Sequence, residues 1–317
     1  MENYILLFIS LFVIIVIIYI FLSINKQKDT CEKLDKYNEY GEFQLPNTDL
    51  SGISIKDIVF KSAFNCCCIG GLKHDYVDIC ALKHCYRAGA RVLDFQIFSL
   101  NGFPVISAST VNENEYKELY NYLSFSETMN QVNYMFLNAL QHSNNNQVLF
   151  LNFRINSNNM DIYNQMSKIL LETFSGSSEI LLKTPVDKEL NQYTLNDLKN
   201  KIIIMVDLNA SPKMKDSFIK TDLSKLTLVT FGTGFKYHSL YESEASLQSG
   251  IELSSLYPNK SSYANNYDYN DKGIRNRFNF IYMNFQKKDV YLKKLFKVFY
   301  SFFVFSKIIF RKYIIYI

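Results

Sequence analysis

Tryptophan is absent from the 317 residues, proline numbers five and histidine four, and no cysteine lies beyond Cys85. Asparagine, lysine, isoleucine and tyrosine are abundant in the same chain, so part of this skew reads as nucleotide bias rather than physics. The formal net charge is only +4, without the clustered basic face that a nucleic-acid protein carries. No nucleic-acid partner is expected, while attraction to anionic lipid stays open. The six cysteines are Cys31, Cys66, Cys67, Cys68, Cys80 and Cys85. Adjacent cysteines rarely bridge each other, and no C-x-x-C pair repeats. With no His-rich spacing beside them, a metal cluster joining them to His74 or His84 is the lesser reading. The sequence predicts reduced thiols packed as small apolar groups, and with them a reducing compartment.

What is present is apolar: hydrophobic residues make up 48% of the chain, enough for one large core or two small ones. Tyr4 to Ile24 runs without a charged residue. As a helix it is long enough to cross a hydrocarbon core of about 30 Å with its backbone groups satisfied internally. A cleaved signal peptide is the competing reading. The run is too long for that, no Lys or Arg precedes it, and Ser23-Ile24-Asn25 is a poor cleavage site. Glu2 precedes the run and Lys26, Lys28 and Lys33 follow it. That asymmetry predicts a single-pass membrane protein whose globular part faces the cytoplasm.

Residues 25–50 are polar, lack periodicity and read as a linker. Apolar strands then alternate with helical patterns. Strands are expected at Ile58–Phe60, Arg91–Phe98, Val148–Phe153, Lys201–Val206, Lys225–Phe231, Ile251–Tyr257 and Phe278–Phe285. Helices are expected at Tyr76–Ala88, Thr128–Gln141, Met160–Phe174 and from Asp289. This alternation argues for parallel pairing and an α/β class; on pattern alone, a barrel and an open doubly wound sheet fit about equally. From Lys293 to Ile317, aromatic and basic residues mix. That stretch reads as a last helix followed by a tail that touches the membrane from Lys307 onward.

Several short segments, in order, narrow the choice. Ser62-Ala63-Phe64-Asn65-Cys66-Cys67, Arg91-Val92-Leu93-Asp94-Phe95-Gln96 and Leu198-Lys199-Asn200-Lys201-Ile202 occur in the first half. Leu253-Ser254-Ser255-Leu256-Tyr257-Pro258, Asn265-Asn266-Tyr267 and Met283-Asn284-Phe285-Gln286 occur in the second. Together they resemble the X and Y halves of eukaryotic phosphoinositide-specific phospholipases C, from about Ile55 to Asp289. The resemblance implies a distorted TIM-type (β/α)8 barrel behind the membrane helix, with its site at the C-terminal strand ends. It divides the chain into an anchor (1–24), a linker (25–50), an X-like half (51–208), a short connection (209–224), a Y-like half (225–303) and a basic aromatic tail (304–317).

The family's reaction, as the resemblance implies it, uses two histidines and a calcium ion to drive attack of an inositol hydroxyl on phosphorus. Here the first histidine position holds Phe64, and the second falls at Ser107 and Ala108. Such groups contribute about 10²–10⁴-fold each. The family's calcium positions align with Asn65, Asp94, Gln96 and Arg154, so a carboxylate is lost and a cation gained. No cofactor is expected, although the family uses calcium. Arg154 is expected to pair with Asp94. The phosphate-binding lysines align with Met205 and Asp207 and an arginine with Ser255, while Tyr257 and Ser239 remain at substrate-contacting positions. A membrane-anchored, catalytically degenerate barrel follows, binding phosphoinositide head groups or a protein partner. Two alternatives stand beside it: an active phosphoric diester hydrolase with relocated groups, His238 being the fallback base, and a structural membrane protein without a ligand. His74, His84 and His142 read as surface or helix residues.

Overall fold

The computed structural model describes residues 2–36, 52, 54–111, 116–142, 147–176, 180–182, 189–250, 252–298 and 303–305. Eight strands form one nearly closed parallel barrel. They are β1 (Ile58–Ala63), β2 (Val92–Leu100), β5 (Val148–Asn156), β6 (Lys201–Asp207), β7 (Thr227–Phe231), β8 (His238–Tyr241), β9 (Ser254–Tyr257) and β10 (Phe280–Met283). Their hydrogen-bonded order is β7-β6-β5-β2-β1-β10-β9-β8, and a single parallel bridge, Phe231 to Tyr237, joins the two ends. Strand β3 (Phe103–Ser107) folds back on β2, two-residue β4 (Leu123–Ser124) extends that hairpin, and β11 (Phe303–Phe305) pairs antiparallel with β1. Every residue of β5, a Val-Leu-Phe-Leu-Asn-Phe-Arg-Ile-Asn run, is buried. That is the pattern of a parallel strand covered on both faces.

Helices α2 (Ile79–Arg87), α3 (Phe125–His142) and α4 (Met160–Phe174) cover the first half, and α5 (Val290–Val298) follows β10. Asp78 caps α2 by accepting from the Cys80 N–H at 2.8 Å, and Asn159 caps α4 from Asp161 N–H. Between β6 and β10 the outer layer consists of short 3-10 and π turns, and this asymmetry distorts the barrel. The expected strands and helices are all present, with ends shifted by a few residues. The connection at 209–224 is three 3-10 turns, Pro212–Met214, Phe218–Lys220 and the start of Leu223–Lys225. The hairpin β3–β4 and strand β8 were not anticipated. Both are too short to show a clear hydrophobic period.

Two expectations fail. Helix α1 runs unbroken from Glu2 to Asp35, so residues 25–35 are helix rather than linker. They fold because they have a surface to pack on: Leu34 joins Ile69 and Ala81 in a small apolar cluster beside the barrel. The thiols also divide. Cys66, Cys67, Cys68 and Cys85 are free and buried as expected, but Cys31 of α1 is disulfide-bonded to Cys80 of α2. This contradicts an all-reduced chain, and with it the argument for a reducing compartment. The tail from Lys307 lies outside the described residues.

Candidate functional site

The strands' C-terminal ends open onto a mouth, and a buried polar cluster sits just beneath it. Asn65 follows β1 in the left-handed region (φ 43°), a conformation that asparagine tolerates better than most residues. The turn aims its N–H at Asp94 Oδ2, 2.9 Å away on β2. Neighbouring β5 carries Asn152 and Arg154 on the same face, two residues apart, as strand alternation dictates. Asn152 Nδ2 donates to Asp94 Oδ1 at 2.9 Å. Arg154 grips the same carboxylate twice, Nε to Oδ1 at 2.9 Å and Nη2 to Oδ2 at 2.8 Å, and its Nη2 also donates to Asn65 Oδ1 at 2.5 Å. The pairing expected of Arg154 and Asp94 is therefore present, in the bidentate form that makes such contacts strong.

Aromatic rings enclose the cation. The guanidinium carbon lies 4.3 Å from the Phe64 ring centroid and 5.4 Å from that of Tyr257. Burial opposes the charge on Arg154, but Asp94 overrides it and drives the guanidinium pKa further up, so the cation persists. The network continues inward. Asn152 Nδ2 also donates to Tyr257 Oη at 2.9 Å, and Tyr257 donates to Asp207 Oδ2 at 3.0 Å. Ser239 donates to the same Asp207 oxygen at 2.6 Å and accepts from Asn209 at 2.6 Å. Burial and then Asp207 push the Tyr257 hydroxyl pKa well up.

These contacts decide whether calcium fits. The ion takes 6–8 oxygen ligands and excess negative charge. Both Asp94 oxygens and Asn65 Oδ1 are already engaged by donors, and the guanidinium adds positive charge. Gln96 supplies an amide, its Oε1 accepting from Ser109 N–H at 2.9 Å and its Nε2 donating to Asn156 at 3.1 Å. This donor set does not fit a calcium ion.

The other expected positions divide. Phe64 lies in the cluster. Ser107 is buried at the end of β3, donating to Asn121 O at 3.0 Å, and Ala108 beside it is fully buried. Tyr257 and Ser239 reach the cluster but turn into it, so both hydroxyls are spent on protein partners. His238 is not brought in. Ser239 points into the barrel, so its neighbour alternates outward, and His238 is exposed at the start of β8. Of the other histidines, His84 is buried on α2 and His74 exposed after β1.

One residue was missed. Lys260, in the loop after β9, holds its ammonium 5.5 Å from the Tyr241 ring centroid, and that ring lies 5.7 Å from Tyr257. Burial, then Arg154, pull the Lys260 pKa down to about 7. Its loop is rich in Asn, Ser and Tyr and offered no periodic signal. Asn65 Nδ2, beneath the same mouth, has no hydrogen-bond partner among the described residues. A separate surface groove of about 740 Å³ lies on the outer face of α4, lined by Asp161, Gln165 and Lys168 among others, and shares nothing with this cluster.

No family model matches the chain, and no curated protein matches it. Solved structures do. The crystal structure of S. officinalis PLC21 superposes with a TM-score of 0.64 at 15% identity, over 81% of this chain and 38% of that one. That of L. pealei PLC21 gives 0.63 at 15% identity, again over 81% and 38%. A calcium-dependent phosphoinositol-specific phospholipase C from a Pseudomonas species reaches only 0.47 at 9% identity, over 80% of this chain and 95% of that one. The chain thus spans well under half the length of the two PLC21 proteins. Its fold is that of the phosphoinositide-specific phospholipase C barrels.

Proposed function

We propose that this chain is a membrane-anchored phospholipase C-like barrel that has lost catalysis and binds a phosphoinositide head group at its mouth. The observation that carries the reading is the Arg154–Asp94–Asn65 cluster. A guanidinium fills the place where the fold's calcium chemistry would need an open shell of oxygens, and Phe64 covers it where a proton-transfer group would stand. Lys260 above and the orphaned Asn65 Nδ2 below supply donors for an anion, and both phosphate oxygens and inositol hydroxyls suit them. Helix α1 supplies the anchor: Tyr4–Leu22 is exposed along its length, and its hydropathy averages 3.4 over the best 18-residue window.

The alternative activity, phosphodiester hydrolysis with relocated groups, loses its nominated base, because His238 faces outward. A protein partner in place of lipid is the other outcome of the test. The full-length chain in detergent is titrated with soluble inositol 1,4-bisphosphate in the presence of a calcium chelator. Binding is expected to survive the chelator and to weaken about tenfold in Lys260→Gln, the loss of one charge-assisted contact. No heat of binding with or without calcium contradicts the head-group reading and favours a protein ligand.

A further inference from the structure

Helix α1 does not end where its apolar run ends. From Lys26 to Asp35 it lies along the barrel wall beside α2, and its contacts form a ladder. Arg87, at the end of α2, holds Asp35. Cys80, in the first turn of α2, is bonded to Cys31. Gln27 donates to Asp78, the cap of α2, at 2.8 Å, and Lys26 reaches Asp75 in the loop after β1 at 3.3 Å. Helix α2 follows β1 and returns the chain to the start of β2, so it descends from the mouth to the base. Read from Asp35 back to Lys26, the ladder therefore climbs from base to mouth. Helix α1 then passes the rim, where the Tyr19 side chain lies beside that of Tyr120.

Tyr19 is five residues inside the end of the Tyr4–Ile24 run, about 7–8 Å along the axis. With that run in the hydrocarbon core, Tyr120 is carried at least as deep as the lipid head groups. The surrounding loops are built together: Tyr120 N–H bonds Asp75 O, His74 N–H bonds Glu118 O, and Leu72 N–H bonds Ser262 O. They expose Val111, Tyr116, Tyr120, Tyr122 and Tyr263, the last at 75% of its full surface. Tyrosine is a residue that settles at a membrane–water boundary.

We infer that α1 is a rigid strut that holds the barrel mouth face-down on the bilayer, with this tyrosine rim seated in the head-group layer. The occupant of the rim is thus the membrane that the chain itself crosses. The ladder and the disulfide leave no flexible tether on which the barrel could turn away. The inference rests on the anchoring half of the proposed function and is independent of head-group binding.

The chain has no tryptophan, so a single introduced one is a unique reporter. Full-length Tyr116→Trp and Tyr263→Trp, with Lys199→Trp as an exposed control just before β6 at the barrel base, are reconstituted into phosphatidylcholine vesicles. Half the preparations carry lipid brominated near the head groups. The emission of Trp at 116 and 263 should fall about twofold or more in brominated vesicles, while that at 199 is unchanged. Bright emission at either rim position, or equal quenching at all three, overturns the orientation. A chain that fails to float with the vesicles overturns the anchor instead, and inositol bisphosphate binding in detergent stands or falls separately.

Discussion

Arg154 carries two jobs at once, neutralising a buried carboxylate and lying against the rings of Phe64 and Tyr257. Removing one member of a buried pair leaves an uncompensated charge and typically costs about 3–5 kcal/mol. Arg154→Met should therefore destabilise the full chain in detergent by about that much, as read from the denaturation midpoint. Adding Asp94→Asn should return most of the loss. If Arg154→Met is as stable as the parent, the pair is not what holds the mouth together. Lys260 gives the pH dependence. Around it stand Arg154, which opposes its charge, Asp207, Asp94 and Glu118, which favour it, and the ring of Tyr241. Its folded pKa, about 7, lies below the ordinary lysine value of 10.5, so the protonated form is the one the fold disfavours. That penalty is fully present below pH 7 and fades as pH rises from 7 towards 10.5. Anion binding runs the other way: strongest below pH 7, weakening as pH rises through it, with a bound anion moving the midpoint up. Isothermal titrations at pH 6 and pH 8 check this, and Lys260→Gln should flatten the difference. The pairing of Arg154 with Asp94 was legible through the resemblance, which places both at calcium positions on neighbouring strands. The sequence did not show that Tyr257 and Ser239 turn inward or that His238 turns out. The orientations of Ser239 and His238 depend on β8, four residues long and too short to show a period, and that of Tyr257 on its place as the last residue of β9.

At the scale of elements, the barrel strands of the first half and helices α2 to α4 were legible because each is an apolar run or a strongly amphipathic stretch. Helix α1 beyond Ile24 was not. Its residues 25–35 are polar and would not form a stable helix alone; tertiary contacts to α2 decide their structure. The Cys31–Cys80 bridge was missed for the same reason, since spacing cannot reveal which elements lie side by side. Thiol titration of the unfolded full-length chain should find four reactive cysteines without reductant and six with it. Six in both conditions would remove the disulfide. The loop after β1 offers a second check. A Cβ on Gly71 would stand 2.6 Å from the Ser262 carbonyl oxygen, which belongs to backbone and cannot swing away. Gly71→Ala should therefore pry apart two loops of the rim, costing about 1–3 kcal/mol by overpacking, as read from the denaturation midpoint. A neutral result would show that the two loops are not held in contact.

For the whole molecule, order mattered more than any single motif. Six weak matches along the chain indicated a barrel where alternation alone left an open sheet equally possible, and the superposition on PLC21 agrees with the barrel. The side of the membrane is a separate question, and two features pull apart. The lysines after the span favour a cytoplasmic barrel, whereas a structural disulfide needs an oxidising compartment. Whichever side it faces, the barrel's chemistry is fixed by its own mouth. The central claim is that a calcium shell has been replaced by a guanidinium and the proton-transfer positions by groups that do not titrate. The most direct measurement is inositol phosphate release from phosphatidylinositol vesicles by the reconstituted full-length chain, at saturating lipid, with and without calcium. The account predicts no turnover above a protein-free blank in either condition. Calcium-stimulated release that is lost in Asp94→Asn would contradict it.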